Sequence, residues 1–307
     1  MISQKILGRL KLDSLRAGRP PAAIEIAPQG VLAASRLSPD EPLKYAFQAL
    51  PPGAVAPGVN ERNVHSPGQV TDAIRSTLEQ VCTESRAVTI VIPDLTTRVF
   101  LLDFDSLPEM AVEAVAIIRF RLRKLVPFNV ETAKVSYQAL PSQAAGWRVL
   151  AAIIPEPVLP EYEEAVRAAG YLPGAVLPSS LAGLRASRAS ETMLYACLSE
   201  SSLTTAITRG DDVLLYRAHE LPDDSALRLS DLRRDVAVAA AYFEDRVKTS
   251  PECLQYAGTS SAADFARSLD LPGLSVIELA PRSDNTTSIP IGSTSIAGVT
   301  GALAVAR

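Results

Sequence analysis

The fold is first indicated by the stretch AAIEIAPQGVLAAS, which occupies residues 22–35. Two short apolar runs in this stretch are joined by Pro28-Gln29-Gly30, a pattern typical of a β-hairpin. A further strand is predicted at 43–50, and apolar residues at helical spacing predict a helix at about 68–84. The chain therefore opens with an antiparallel meander that is followed by a helix.

The same order of elements returns in the second half of the chain. Three short strands are predicted at 194–198, 204–208 and 213–218, and a long helix follows at 230–248. Helices and strands alternate after each meander, which is the pattern of an α/β protein. We therefore predict two related α/β lobes that join near 185–191 and enclose a cleft.

Composition argues against several classes of function. A chain of 307 residues favours about two domains. Its net charge of −4 argues against nucleic acid as a partner, because phosphate neutralisation needs a basic surface. The three cysteines are far apart and odd in number, so we expect a reducing compartment and no disulfide framework. The two histidines, His65 and His219, are distant in sequence, and no metal site is expected.

The sequence shows no segment suited to crossing a membrane. No run approaches the ~18 consecutive apolar residues that span a bilayer. The basic N-terminal residues, 1–20, lack the apolar run and the cleavage site of a signal peptide. We therefore expect a cytoplasmic protein that reaches a membrane only through a partner.

Four segments, in this order, resemble the PilM family of type IV pilus assembly proteins. They are LPPGAVAPGV at 50–59, VIPD at 91–94, RLRKLVPF at 121–128 and LPS at 177–179. The first is similar to the family's LPxGxIxxGxI loop, and the third to its passage from a helix through IPF into a strand. The order of the segments, more than any one of them, carries the resemblance.

The resemblance implies an α/β fold of two lobes, the actin-like (ribonuclease H-like) ATPase fold, with a subdomain inserted in the first lobe. It divides the chain into a basic leader at 1–20, a first lobe at 21–187 and a second lobe at 188–307. The inserted subdomain is expected at about 88–178.

The resemblance also points to a nucleotide site that this sequence has eroded. In the first hairpin, Glu25 stands where the family has Asp, Ala27 where it has Gly, and Pro28 where it has a hydroxyl residue. Proline contributes no backbone N–H, and Ala27 limits the close approach of a phosphate. Mg²⁺ would also lose the expected carboxylate position.

The second hairpin and the adenosine side depart in the same way. Cys197 and Ser199 replace the Asp and Gly of the second hairpin, and the glycine pair of the adenosine side is reduced to Gly258. We therefore predict weak or absent ATP binding, no hydrolysis and no cofactor. The alternative is that Glu25 keeps the carboxylate role from one methylene further away.

A basic cluster offers a candidate contact surface. A helix is predicted from an N-cap at Ser106 to Val126, ahead of Pro127. Near its end are four basic residues: Arg119, Arg121, Arg123 and Lys124. They either ring a buried apolar stripe or contact an acidic partner or anionic lipid headgroups.

The resemblance implies a scaffold and not an enzyme. In the PilM family, a groove of the first lobe takes the N-terminal peptide of a membrane-anchored partner of the PilN kind. The same partner is expected here, with other cytoplasmic pilus or secretion components. Two alternatives remain: an ATPase that uses nucleotide to switch lobe closure, and a cytoplasmic domain of the GspL kind from a type II secretion system.

Overall fold

A computed structural model describes residues 20–36, 41–81, 85–140, 146–187, 189–281, 289 and 294–304. The strands are β1 (Ala22–Ala27), β2 (Gly30–Ser35), β3 (Lys44–Ala49), β4 (Ala87–Ile92), β5 (Arg98–Phe104), β6 (Lys134–Leu140), β7 (Trp147–Ile154), β8 (Leu172–Pro178), β9 (Thr192–Leu198), β10 (Ser202–Arg209), β11 (Asp212–Glu220), β12 (Cys253–Gly258) and β13 (Ser275–Glu278). The helices are α1 (Pro67–Val81), α2 (Ala111–Leu122), α3 (Val158–Ala168), α4 (Ser179–Leu184), α5 (Ser225–Val247), α6 (Ala262–Leu269) and α7 (Ala297–Ala302). A 3-10 turn, Asp94–Thr96, follows β4.

Two five-stranded sheets share one strand order. The first runs β3-β2-β1-β4-β8 and the second β11-β10-β9-β12-β13. In each sheet the three strands of the meander are antiparallel, and the two strands that follow pair in parallel. The predicted hairpins and the two-lobed α/β fold are thereby confirmed.

The first sheet is covered by helices on both faces. Ile24 and Ile26 lie on one face, in a core that includes side chains of α1 and α3. Ala23 and Leu32 lie on the other face, in a core with α4 and α7. Because both faces are buried, the strands of the hairpin are apolar almost throughout instead of alternating with polar residues.

The last described helix belongs to the core of the first sheet, although its sequence lies in the second half of the chain. The sequence at 294–306, rich in Gly and Ala, predicts a closing helix. The structure has α7 at Ala297–Ala302, with 305–307 outside the described residues. Gly301 lies so close to α4 that a Cβ there would overlap the carbonyl oxygen of Ala182. The α4–α7 contact therefore depends on this glycine.

Helices α5 and α6 cover one face of the second sheet. Leu194 and Tyr256 share a core with Val236 and Phe243 of α5 and with residues of α6. Helix α5 starts five residues earlier than predicted, because Asp224 accepts hydrogen bonds from the first-turn N–H groups at 3.0 and 2.9 Å. The opposite face contacts a smaller sheet.

The smaller sheet has the order β5-β7-β6 and carries α2 on its outer side. Leu140 and Leu150 of this sheet share a core with Tyr195 and Tyr216 of the second sheet. The residues of this separate sheet cover a shorter range than the insertion predicted at about 88–178. Strands β4 and β8 lie in the first sheet, so the separate sheet is built from 98–154.

Helix α2 is shorter than the predicted span from Ser106 to Val126. It begins after Met110, whose backbone is extended, and Ser106 is not its N-cap. Pro108 disfavours a helical conformation for the preceding residue, which keeps the chain extended there. At the other end the helix stops at Leu122 and continues as a turn.

Candidate functional site

The turns of the β1–β2 and β9–β10 hairpins face each other across a narrow cleft between the lobes. The cleft also receives the ends of β4 and β12 and the start of α7. Its volume is about 70 Å³, room for a few water molecules. Ligand pockets in proteins usually enclose roughly 300–1,000 Å³, so the cleft as it stands is far smaller than a nucleotide site.

Glu25 lies in this cleft and is only 8% exposed. One carboxylate oxygen, Oε1, accepts a hydrogen bond from the Ser179 hydroxyl. The other, Oε2, has no hydrogen-bond partner among the described residues and packs against Gly298 of α7. Burial raises the pKa of Glu25 to about 7, opposed by the Ser179 hydrogen bond and increased by the negative charge of Asp94.

Asp94 is the second buried carboxylate, and it links the two lobes. Its Oδ1 accepts from the Ser180 N–H and hydroxyl at 3.0 and 2.9 Å, and its Oδ2 accepts from the Thr204 hydroxyl of β10 at 2.8 Å. The Ser180 hydroxyl also shares a hydrogen bond of 2.6 Å with Tyr216 of β11. Burial raises the pKa of Asp94 against the effect of these donors. We call these four residues the interlobe network.

The sequence prediction missed Asp94 and its partners as site residues. Asp94 follows Pro93 at the end of a buried strand, next to β1. Carboxyl ends of parallel strands are where polar groups of an α/β protein converge. The position of Asp94 at the carboxyl end of a buried strand is the sequence feature from which it could have been identified as a site residue. Its partners Ser180 and Thr204 had no such feature, since serine and threonine are common everywhere in the sequence.

Cys197 is the counterpart of Glu25 in the second hairpin. It lines the same cleft as a free thiol. Burial raises the pKa of this thiol, and the nearby carboxylates of Asp94 and Glu25 raise it further. The thiol therefore stays protonated at neutral pH and does not act as a nucleophile.

The first turn offers few donors to an anion. Ala27 and Gly30 are paired residues of the hairpin, so Pro28 and Gln29 form a two-residue turn. Pro28 has no N–H to offer. Ala27 and Pro28 both line the cleft.

The second turn has its donors already engaged. The Ser199 hydroxyl accepts hydrogen bonds from the N–H groups of Ser202 at 2.9 Å and Ser201 at 3.3 Å. It also shares a hydrogen bond of 2.7 Å with the Ser202 hydroxyl. A glycine at 199 would leave those N–H groups free, whereas Ser199 occupies them.

On the adenosine side, Gly258 ends β12 at the edge of the cleft. The space beside Gly258 is filled by Tyr256, since a Cβ at 258 would overlap the Tyr256 ring and hydroxyl. Tyr256 is held there by a stack on Phe265, with ring centroids 4.3 Å apart, and by a hydrogen bond of 2.7 Å with the Ser260 hydroxyl.

The charged side chains that line the cleft are acidic. Glu25, Asp94 and Glu200 line it, and no Lys or Arg does so among the residues that the structure describes. In the same described ranges, no group of three or more His, Cys, Asp or Glu side chains converges as metal ligands.

A wider groove of about 410 Å³ opens beside the cleft. It is formed mainly by the 50–57 loop of the first lobe, with Leu50, Val55 and Ala56 among its apolar lining. Pro28 and Glu200 contribute from the two hairpin turns. Apolar side chains around an open groove suit an extended peptide better than a phosphate.

The basic cluster lies on α2 and the turn after it, not in the cleft. Arg119 donates hydrogen bonds to the carbonyl groups of Val130 and, at 2.9 Å, Ala133. It therefore supports a loop and is not a free cation. Arg121, Arg123 and Lys124 are exposed.

No helix within the described ranges has both the length and the apolar character needed to cross a membrane.

No protein-family model and no curated protein sequence matches the chain. Solved structures do match. The PilM–PilN type IV pilus biogenesis complex is similar at a TM-score of 0.69 and 18% identity, over 94% of this chain and 97% of that one. A Bacteroides thetaiotaomicron protein with actin-like ATPase fold and unknown function is similar at 0.52 and 10% identity, over 87% and 94%.

The cytoplasmic domain of EpsL, from the type II secretion system of Vibrio cholerae, is more distant, at 0.49 and 13% identity over 91% and 92%. A similarity this loose does not bear on the secretion alternative. The two closer similarities concern the fold, and at that level they confirm the prediction: the chain has the actin-like ATPase fold, and its structure is similar to that of PilM.

Proposed function

We propose that this protein is a non-hydrolysing scaffold of a type IV pilus assembly platform, located at the cytoplasmic face of the inner membrane. In this role it binds the N-terminal peptide of a membrane-anchored, PilN-like partner. The cleft carries the proposal: it holds three carboxylates, no basic side chain among the described residues, and only about 70 Å³ of space. A triphosphate needs the opposite surroundings, namely free N–H donors and positive charge.

The residues of the cleft do not fit magnesium and nucleotide. Mg²⁺ requires near-octahedral oxygen ligands and keeps several waters. Glu25 has one oxygen bonded to Ser179 and the other packed on Gly298, which leaves no room for hydrated Mg²⁺ at its carboxylate. The turn N–H groups that would receive phosphates are missing at Pro28 and engaged by Ser199.

The partner is inferred from the fold and from the groove. The PilM structure that this chain resembles is a complex with PilN, which supports a PilN-like partner here. We place the peptide in the groove lined by Leu50, Val55 and Ala56, because it is the larger concavity beside the hairpins and is mostly apolar. An extended segment with apolar side chains would bury them there.

Calorimetry with Mg·ATP and Mg·ADP tests the absence of nucleotide binding. We expect no saturable heat at millimolar nucleotide and no phosphate release. Saturable binding at micromolar nucleotide would overturn the non-hydrolysing scaffold and favour the ATPase switch.

Binding of a fluorescent peptide tests the partner. The peptide is the N-terminal cytoplasmic segment of the PilN-like protein from the same organism. Ala56→Trp fills the groove, while Ala168→Trp places the same bulk on an exposed position of α3. We expect binding to the unaltered chain and to Ala168→Trp, and a loss of about tenfold or more with Ala56→Trp.

The choice of partner and its placement in the groove can be contradicted independently. If the peptide does not bind the unaltered chain, the proposed partner is wrong. If it binds all three proteins equally, the partner stands and only its placement in the groove is wrong.

A further inference from the structure

The exposed large apolar side chains of this protein are concentrated at one place. Five of the nine in the described ranges lie between residues 110 and 125. They are Met110, Val112, Ile117, Phe120 and Leu125, and the other four are scattered singly. Phe120 is 65% exposed. Scattered apolar residues are ordinary on a protein surface, whereas a cluster marks a contact surface.

The helix that carries this cluster is fixed to the protein by its other side. Ala114, Ile118 and Leu122 are fully buried against the small sheet. Arg119 adds hydrogen bonds to the carbonyl groups of the following loop. The outer face of α2 is therefore held in place, and its apolar side chains remain exposed and do not pack into another core.

Basic residues surround the apolar ones. The side chains of Arg121 and Lys124 form no ion pair or hydrogen bond with any residue that the structure describes, and both residues are exposed. Arg123 pairs with Glu131 and lies over the Phe120 ring, 5.8 Å from its centroid. Besides Glu131, the nearest acidic residues in the sequence, Glu109 and Glu113, lie toward the other end of the helix. We call Ile117, Phe120, Arg121, Lys124 and Leu125 the α2 patch.

We propose that the α2 patch docks on the surface of an anionic lipid bilayer. Phe120 and Ile117 would enter the boundary between headgroups and acyl chains, while Arg121 and Lys124 extend to the phosphates. The remainder of a chain with a net charge of −4 is repelled by the same surface, so the patch also sets the orientation of the protein on the membrane.

The chemistry of the patch favours a membrane over a protein partner. The patch lies on an exposed helix surface and contributes no residue to the cleft or the groove, whereas the side chains that anchor protein interfaces occupy pockets. Cations placed among apolar residues would have to be desolvated against a protein, at a cost that a single ion pair rarely offsets. Lipid headgroups remain hydrated and accept them without that cost.

Sedimentation with vesicles tests the proposal on the full chain and does not depend on the proposed partner. Vesicles of phosphatidylcholine alone are compared with vesicles that contain phosphatidylglycerol. We expect binding to the anionic vesicles only, weakened by added salt. The double variant Arg121→Glu, Lys124→Glu should bind at least about 25-fold more weakly, and Phe120→Ser about tenfold.

Matched controls separate the patch from general effects. Leu227→Ser removes an equally exposed apolar residue on α5, and Lys44→Glu reverses an exposed charge on β3. Both should bind like the unaltered chain, with unchanged melting curves for all variants. The proposal is overturned if anionic vesicles do not bind, if neutral vesicles bind equally well, or if the patch variants lose the PilN-like partner while vesicle binding persists.

Discussion

The two five-stranded sheets have the same strand order but are stabilised in different ways. The first sheet is enclosed by helices on both faces, including α7 from the far end of the chain. The second sheet has α5 and α6 on one face, and its other face packs against α4 and the three-stranded sheet. A shared topology thus leaves open how each sheet is buried.

This difference shows how the lobes are held together. Because the second sheet completes its core against elements of the first lobe, separation of the lobes would expose Leu150, Tyr195 and Tyr216. The interlobe network of Asp94, Ser180, Thr204 and Tyr216 adds directed hydrogen bonds to that apolar contact. We infer that these contacts hold the cleft in one shape, which is consistent with the proposed scaffold.

The largest expected effect comes from removing the cover that α7 gives to the first sheet. Gly301→Ala would place a methyl group on the carbonyl oxygen of Ala182, and neither backbone can yield without moving a helix. We expect a loss of about 3 kcal/mol in the free energy of unfolding, measured by urea denaturation. Hydrogen exchange should accelerate in β1 and β2 more than in β9 and β10.

Gly58→Ala is the control, since no atom lies within 4 Å of a Cβ there. Its free energy of unfolding should match that of the unaltered chain. Equal loss of protection in both sheets after Gly301→Ala would show that the two cores are not separate units.

The next effect comes from the interlobe network. Asp94→Ala leaves the donors of Ser180 and Thr204 without their acceptor in a buried site, and we expect a loss of about 2 kcal/mol in urea denaturation. Asp94→Asn keeps the shape and one acceptor, so its loss should be less than half as large. In a double-mutant cycle, Thr204→Val should add little once Asp94 is Ala. Full additivity would mean that the two side chains do not interact.

Local patterns in the sequence predicted much of the fold. Apolar periodicity and the Pro28-Gln29-Gly30 turn were enough to predict the first hairpin, and the spacing of apolar residues predicted α1. The start of α2 was predicted wrongly. Serine is a residue type favoured at N-caps, but Ser106 is followed closely by Pro108, which keeps the chain extended.

Contacts between distant segments were beyond such reasoning. The pairing of β4 with β8 joins residues about 85 apart in the chain. Because both strands belong to the first sheet, only residues 98–154 form the separate sheet. Arg119 has the sequence signature of a surface cation, yet its guanidinium bonds two carbonyl groups of a loop. The predicted cleft residues do line one cleft, but the hydrogen bonds that close it, at Ser179 and Ser199, follow from three-dimensional proximity alone.

The smallest expected effect is on the pH dependence of stability. It distinguishes Glu25 from Cys197, the residues at matching positions of the two hairpins that line the cleft. Glu25 has a pKa of about 7 in the folded chain, above its ordinary value, so folding binds a proton that the unfolded chain releases. The stability that this proton contributes is complete at low pH and is lost as pH rises through about 7. Between pH 6 and pH 8 we expect Glu25 alone to lower the free energy of unfolding by about 1 kcal/mol.

Glu25→Gln should remove that pH dependence, because the amide stays neutral and can still accept from Ser179. Cys197→Ser, at the matching position of the second hairpin, should retain it, since burial moves the pKa of the Cys197 thiol away from neutrality. Urea denaturation of the three proteins at pH 6 and pH 8 provides the measurement. If Glu25→Gln keeps the same dependence as the unaltered chain, then the Glu25 carboxyl is hydrated in the folded protein, and the cleft is wider than a few water molecules.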